Sequence, residues 1–136
     1  MSDAARAAIA AQRVLIVEDD ESARLGLTEL VRTWGFAVAA AADGEQAIEL
    51  AKRFLPQMVL LDLGLPGCDG FDVARSLRSD GTLRGAWIVA LTGWGAERDR
   101  ARTAAAGFDD HLTKPVDPDA LEAYLARFSR ELLAGT

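Results

Sequence analysis

The chain has a single cysteine and a single histidine among its 136 residues. A lone thiol, Cys68, cannot close an internal disulfide, which suits a reducing compartment such as the cytoplasm. Long apolar runs are missing too. None approaches the roughly 20 residues needed to span a bilayer, so no membrane contact is expected. The N-terminal stretch MSDAARAAIAAQ has no bulky apolar segment and carries Asp3 early, which argues against a signal peptide. Positive charge is scarce: 15 Lys and Arg face 21 Asp and Glu, a formal net charge of −6. Binding to nucleic acid draws on a basic footprint that displaces counterions, so no nucleic-acid partner is expected. Repeats, low-complexity blocks and linkers rich in Pro, Gly or Ser are absent as well. What remains is a chain long enough for one core and too short for two. Residues 1–12 read as a tail, residues 13–134 as one domain, and no second domain is expected.

Within that domain five apolar runs alternate with five helical patterns. Val14–Val17 and Met58–Leu61 are unbroken apolar runs ending in acids, the pattern of strands buried on both faces. Trp87–Leu91 reads the same way, with Phe36–Ala40 and the short His111–Leu112 as weaker strands. The first helix spans Ser22–Trp34, with Ala23, Leu27, Leu30, Val31 and Trp34 on one face and Gly35 as its left-handed cap. Asp43 and Gln46 resemble a capping box for a helix running to about Phe54. Asp69–Ser79 and Glu97–Ala106 follow, the latter stopped by Gly107. Asp117 caps a last helix with Pro118 at its first position and a stripe of Leu121, Leu125, Phe128 and Leu132. Fivefold strand–helix alternation implies a parallel sheet with right-handed crossovers in a three-layer α/β/α sandwich. The flavodoxin-like order 2-1-3-4-5 is the expected one, with ligands bound outside the carboxyl ends of the strands.

Polar residues gather at that edge. Glu18-Asp19-Asp20 ends the first strand, Asp62 the third and Thr92 the fourth, and Lys114 follows the fifth. Asp20 and Glu21 read as openers of the next helix. Three carboxylates in one cleft repel each other unless a cation joins them or their pKa values rise. Magnesium accepts one or two carboxylates and keeps its other positions for water and phosphate. Asp19 and Asp62 are assigned as direct ligands, Glu18 as one acting through water, and the carbonyl of Gly64 as a backbone oxygen. Asp62 is then a carboxylate nucleophile that attacks phosphorus. Lys114, the Thr92 hydroxyl and the unobstructed N–H of Gly93 would stabilise charge on the phosphoryl oxygens.

Four segments carry a family resemblance: VLIVEDD at 14–20, LLDLGLPGCDG at 60–70, WIVALTG at 87–93 and HLTKP at 111–115. Thr92 lies thirty positions after Asp62, and Lys114 twenty-two after Thr92. In this order and spacing the chain resembles the receiver domains of two-component response regulators, over roughly Arg13 to Leu133. The resemblance implies that a histidine kinase or phosphotransfer protein donates a phosphoryl group to Asp62. It also implies that the domain catalyses that transfer and the later hydrolysis, and is no enzyme otherwise. The last two segments look most similar to receivers attached to hybrid histidine kinases. Output would pass by protein contact over the fourth helix, fifth strand and last helix, or by onward phosphotransfer. Two positions depart from the pattern. His111 stands where many receivers carry Tyr or Phe, three residues before the lysine, and would pair with Thr92 as the switch. Trp94, two past the threonine, is large for its place; with Gly64 it would set the phosphoryl lifetime.

Competing readings follow from the same residues. A magnesium-dependent phosphatase of the haloacid-dehalogenase kind also forms an aspartyl phosphate. Its nucleophile ends the first strand and it needs a cap over the substrate, neither of which this chain shows. A degenerate receiver acting only as a binding module would not need the intact acid, Thr and Lys set. His111 also reads as a half-exposed surface residue, Cys68 as an incidental loop thiol, and Arg98, Arg100 and Arg102 as a solvated helix face.

Overall fold

The computed structural model describes residue 3 and residues 12–65, 69–93 and 100–134. The described residues form β1 (Arg13–Val17), α1 (Glu21–Thr33), β2 (Ala37–Ala41), α2 (Gly44–Phe54) and β3 (Met58–Asp62). They continue with α3 (Gly70–Ser79), β4 (Trp87–Thr92), α4 (Arg100–Ala106), β5 (Asp110–Thr113) and α5 (Pro118–Ala134). All four strand pairings are parallel and the order is β2-β1-β3-β4-β5, as the alternation predicts. No helix among the described residues is long and apolar enough to cross a membrane.

Both faces of the sheet are covered, which is why β1, β3 and β4 carry unbroken apolar runs. Side chains alternate across a strand. Val14 and Ile16 join Met58, Leu60, Val89 and Leu91 under Val31 of α1 and Leu121 and Leu125 of α5. Leu15 and Val17 join Val59, Leu61, Ile88 and Ala90 beneath Ala47 and Ala51 of α2 and Phe71 and Leu77 of α3. Thr28 and Ser129 are also buried, outside the apolar stripes that the sequence suggests. The Thr28 hydroxyl donates to the Arg24 carbonyl at 2.7 Å, which satisfies it within its own helix.

Element ends follow local chemistry. β2 starts at Ala37, one residue later than expected, because Phe36 sends its N–H to Val31 at 3.4 Å and buries its ring. β3 and β4 each run one residue longer than the apolar pattern, since Asp62 pairs with Leu91 and Thr92 with Thr113. β5 covers four residues rather than two. Asp20, Asp43 and Asp69 cap α1, α2 and α3, and Asp117 accepts the Ala120 N–H at 3.0 Å ahead of α5. Gln46 returns its side chain to the N–H of Ala42 rather than to that of Asp43. Helix α4 is described from Arg100, so the expected start at Glu97 lies outside the described residues, as do Trp94, Cys68 and all of the N-terminal tail but Asp3 and Gln12.

Two glycines are required by geometry. A Cβ on Gly70 would meet the Asp62 carbonyl oxygen at 2.8 Å and Leu63 Cα at 2.9 Å. Only glycine lets α3 start so close to the end of β3. Gly107 holds a φ of +102° beside the stem of Arg78, which stops α4 and turns the chain into β5.

Candidate functional site

Each polar residue of the site hangs from a strand end. The Glu18 N–H donates to Ala41 at 3.1 Å, holding the exit of β1 against β2. Asp62 is the last residue of β3 and Thr92 the last of β4. Lys114 follows β5 and ties its N–H to the Thr92 carbonyl at 2.7 Å. The topology therefore brings together Glu18, Asp62, Thr92 and Lys114 from four strands.

One carboxylate oxygen from each of Glu18, Asp19 and Asp62 lies within 4.8 Å of the others. Glu18 is 2 % exposed and Asp62 6 %, whereas Asp19 faces solvent. The Lys114 ammonium donates to Glu18 Oε2 at 2.8 Å and to Asp62 Oδ2 at 3.0 Å. The other oxygen of Asp62 accepts the Gly64 N–H at 2.9 Å. Sequence spacing places Lys114 at this edge; its bridge between two acids is visible only in the structure.

These contacts divide the two buried acids. Burial, and then the hydrogen bond with Asp62, push the Glu18 carboxyl above its usual range despite Lys114. Burial also acts against an ionised Asp62, but hydrogen bonds from Glu18, Gly64 and Lys114 outweigh it and hold that carboxyl below its usual range. Burial works against the charged Lys114 ammonium as well, and its two acid partners more than compensate, so its pKa is raised. Of the two buried acids, Asp62 is thus the one whose surroundings favour the ionised form.

The remaining expected residues are less tightly engaged. The buried Thr92 hydroxyl donates to the Leu112 carbonyl at 3.4 Å, and Gly93 beside it is exposed. His111 is half-buried on β5, opposite Ala90, with its N–H donating to Asp110 Oδ1 at 2.8 Å. Beside Glu18 and Lys114 opens a groove with apolar walls from Ala23, Leu27, Pro115 and Val116.

Sequence reading missed the contacts of two arginines. Arg102, expected on a solvated face, sets its guanidinium 4.0 Å over the Phe71 ring and reaches Asp69 Oδ2 at 3.4 Å. Its side chain stays exposed, as a solvated face implies, and the contact forms because α4 packs beside the start of α3; Arg98 and the Arg100 side chain lie outside the described residues. Arg24 binds the backbone of the acid loop, and only its place in α1, a turn past the acids, hinted at that.

The donor set is entirely oxygen, and one lysine against three acids leaves an excess of negative charge. That set fits a hard divalent cation such as magnesium, which takes carboxylates and water.

Known proteins give the same picture. The family model described as "Response regulator receiver domain" matches residues 14–126. The DNA-binding response regulator MtrA of Mycobacterium tuberculosis is 42 % identical over 112 residues, covering 82 % of this chain and 48 % of MtrA. The response regulator PleD of Caulobacter vibrioides is 38 % identical over 119 residues, covering 87 % of this chain and 26 % of PleD. The chain thus spans about half or less of the length of these curated relatives. Among solved structures, the receiver domain of the sensor histidine kinase PA1611 from Pseudomonas aeruginosa superposes with a TM-score of 0.78 at 33 % identity, covering 87 % of this chain and 97 % of that one. That structure holds a magnesium ion coordinated in the active-site cleft. The Vibrio cholerae chemotaxis protein CheY4 superposes with a TM-score of 0.81 at 27 % identity, covering 85 % of this chain and 97 % of that one. The family match does not favour the phosphatase reading. With the family model matching residues 14–126 and relatives at 42 % and 38 % identity, this chain belongs to the response regulator receiver domains, the phosphorylation switches of two-component signalling.

Proposed function

We propose that Asp62 is the phosphoacceptor of this switch and that Glu18, Asp19, Asp62 and the Gly64 carbonyl hold a magnesium ion beside it. The observation that carries this reading is the Lys114 ammonium lying between Glu18 Oε2 and Asp62 Oδ2, at 2.8 and 3.0 Å. It is a mobile cation within reach of an incoming phosphoryl oxygen. When bound, the metal supplies charge neutralisation for phosphoryl oxygens and for the crowded acids.

The chain's own residues do the rest. A carboxylate oxygen of Asp62 attacks phosphorus, and the phosphorus–nitrogen bond of a donor phosphohistidine breaks. The electron pair stays on the imidazole nitrogen, which takes up a proton. Lys114, the Thr92 hydroxyl and the Gly93 N–H meet the phosphoryl oxygens. In hydrolysis, water attacks phosphorus and the carboxylate of Asp62 is released. The donor is a histidine kinase or a phosphotransfer protein, and the protein works in the cytoplasm. By the family resemblance, Gly64 and Trp94 are the sequence positions that set the lifetime of the acyl phosphate.

Output follows from Thr92. Turning its hydroxyl from the Leu112 carbonyl to a phosphoryl oxygen gives up a long 3.4 Å hydrogen bond for one to a charged group. The space left behind β4 admits His111, which remodels the face of α4, β5 and α5 for a protein partner. The absence of a nucleic-acid partner is a reading from net charge, set beside a DNA-binding relative of which this chain spans about half.

Intact mass spectrometry with a small phosphodonor and magnesium tests the assignment. The wild type is expected to gain one phosphoryl group, and Asp62→Asn or chelation to abolish the gain. Labelling that persists on Asp62→Asn refutes Asp62 as acceptor.

A further inference from the structure

Three acids converge on one point, but the structure holds them by different means. Glu18 is buried, and Asp62 is fixed by Lys114 and Gly64. Asp19 is the exposed member of the three, so the direction of its carboxylate depends on its backbone. One nitrogen of Arg24, Nη1, donates to the Glu18 carbonyl at 3.0 Å and to the Asp19 carbonyl at 3.3 Å. Those two carbonyls lie on either side of the Asp19 Cα. Holding both on one nitrogen restrains φ and ψ of Asp19, and with them the direction in which its side chain leaves the chain.

Arg24 is well placed for this. It sits in the first turns of α1, where its N–H bonds to the Asp20 carbonyl at 2.9 Å, and Asp20 in turn caps the helix through the Ala23 N–H at 2.8 Å. The acid loop is therefore tied to α1 by a backbone bond, a side-chain cap and a guanidinium. The first two fix where the helix begins. The guanidinium reaches back to the two residues that carry metal-site carboxylates. Electrostatics alone would give Arg24 the opposite part, since a cation near the site repels a divalent ion. Positioning and repulsion thus predict opposite signs when the side chain is removed.

We propose that Arg24 is a positioning residue for the metal site, orienting Asp19 toward the ion through the two carbonyls. This rests on the reading of Glu18, Asp19 and Asp62 as the magnesium site. Partners one step removed from a metal commonly change its affinity tenfold or more when lost.

Calorimetric magnesium titration of the wild type, Arg24→Gln and Arg24→Lys tests the inference, together with thermal melts of the metal-free proteins. Arg24→Gln is too short to reach both carbonyls and is expected to bind magnesium about tenfold more weakly. Arg24→Lys, which keeps a long donor, is expected to recover part of the loss. With the small phosphodonor, Arg24→Gln should need more magnesium for half-maximal labelling yet reach the wild-type rate at saturation. A merely structural role would lower the melting temperature and leave the magnesium dependence unmoved. Unchanged or tighter binding by Arg24→Gln, with normal binding by the wild type, overturns the role of Arg24 and leaves the site intact. Should Arg24→Gln fail to fold, equal magnesium affinity of Arg24→Lys and wild type at equal stability overturns it as well. A wild type that binds no magnesium overturns both.

Discussion

At the amino ends of the strands polar groups largely satisfy one another, with the buried Gln12 Oε1 as an exception; at the carboxyl ends, charges of one sign are crowded together. The Arg13 N–H donates to the Gln57 side chain at 2.6 Å, and Gln57 and Trp87 send their N–H groups to Arg13 and Gln57 at 2.9 and 2.8 Å. The Trp87 indole donates to the Tyr124 hydroxyl at 2.8 Å, which donates to Asp110 at 2.9 Å. Nearby, Arg78 serves the carbonyls of Gly107, Arg84 and Ala86 and pairs with Asp109. Every one of these contacts closes a hydrogen bond and leaves little charge unmatched. At the other end, Glu18 and Asp62 are buried facing each other, with a single lysine between them. A chain selected for stability alone would not bury two acids together. The amino end carries the fold so that the carboxyl end can hold a costly arrangement for chemistry.

Substitutions can separate the two ends. Arg78→Ala removes the donors to three carbonyls and to Asp109, and is expected to destabilise the protein by about 2–4 kcal/mol. Urea denaturation would measure that loss. Labelling of Asp62 should persist below the lowered transition, because Arg78 touches none of the strand-end acids. Equal loss of stability and labelling at low temperature would show that the ends are not separable.

A smaller effect concerns Tyr124, the chain's single tyrosine. Burial, with the Asp110 carboxylate next, pushes its hydroxyl up to about 12 even though the Trp87 indole pulls the other way. The folded value lies above the ordinary one, so this group favours folding fully below about pH 10 and loses that contribution as pH rises toward 12. Phenolate absorbance in an alkaline titration should show a late midpoint, moved down in Asp110→Asn. A midpoint at the ordinary value in the folded wild type would break the network drawn at the amino end.

The sequence made the carboxyl end more legible than the amino end, for a physical reason. Glu18, Asp62, Thr92 and Lys114 each stand where an apolar strand stops, so the strand pattern and the sheet order place them together before any contact is known. Helix caps were legible in the same way, because Asp20, Asp43 and Asp117 each act on a residue three positions away. Contacts between distant segments were not. Nothing in the spacing says that Lys114 binds both Glu18 and Asp62, that Arg102 lies over Phe71, or that Trp87, Tyr124 and Asp110 share a chain of hydrogen bonds. Gly70 was read only as part of a motif. Its necessity appears once the Asp62 carbonyl is seen 2.8 Å from where its Cβ would stand. Thr28 and Ser129 look like surface residues until their burial is seen.

The carboxyl end of the sheet is proposed as a metal-dependent phosphoryl site. Amide resonances followed through a magnesium titration, and then on adding a phosphoryl mimic, are the measurement that decides it. Shifts are expected to centre on residues 18–20, 62–64, 92–93 and 114 and to spread to 110–113 once the mimic binds, while Arg13, Gln57 and Trp87 hold still. Shifts centred on the amino-end residues, or none at saturating magnesium, would contradict it.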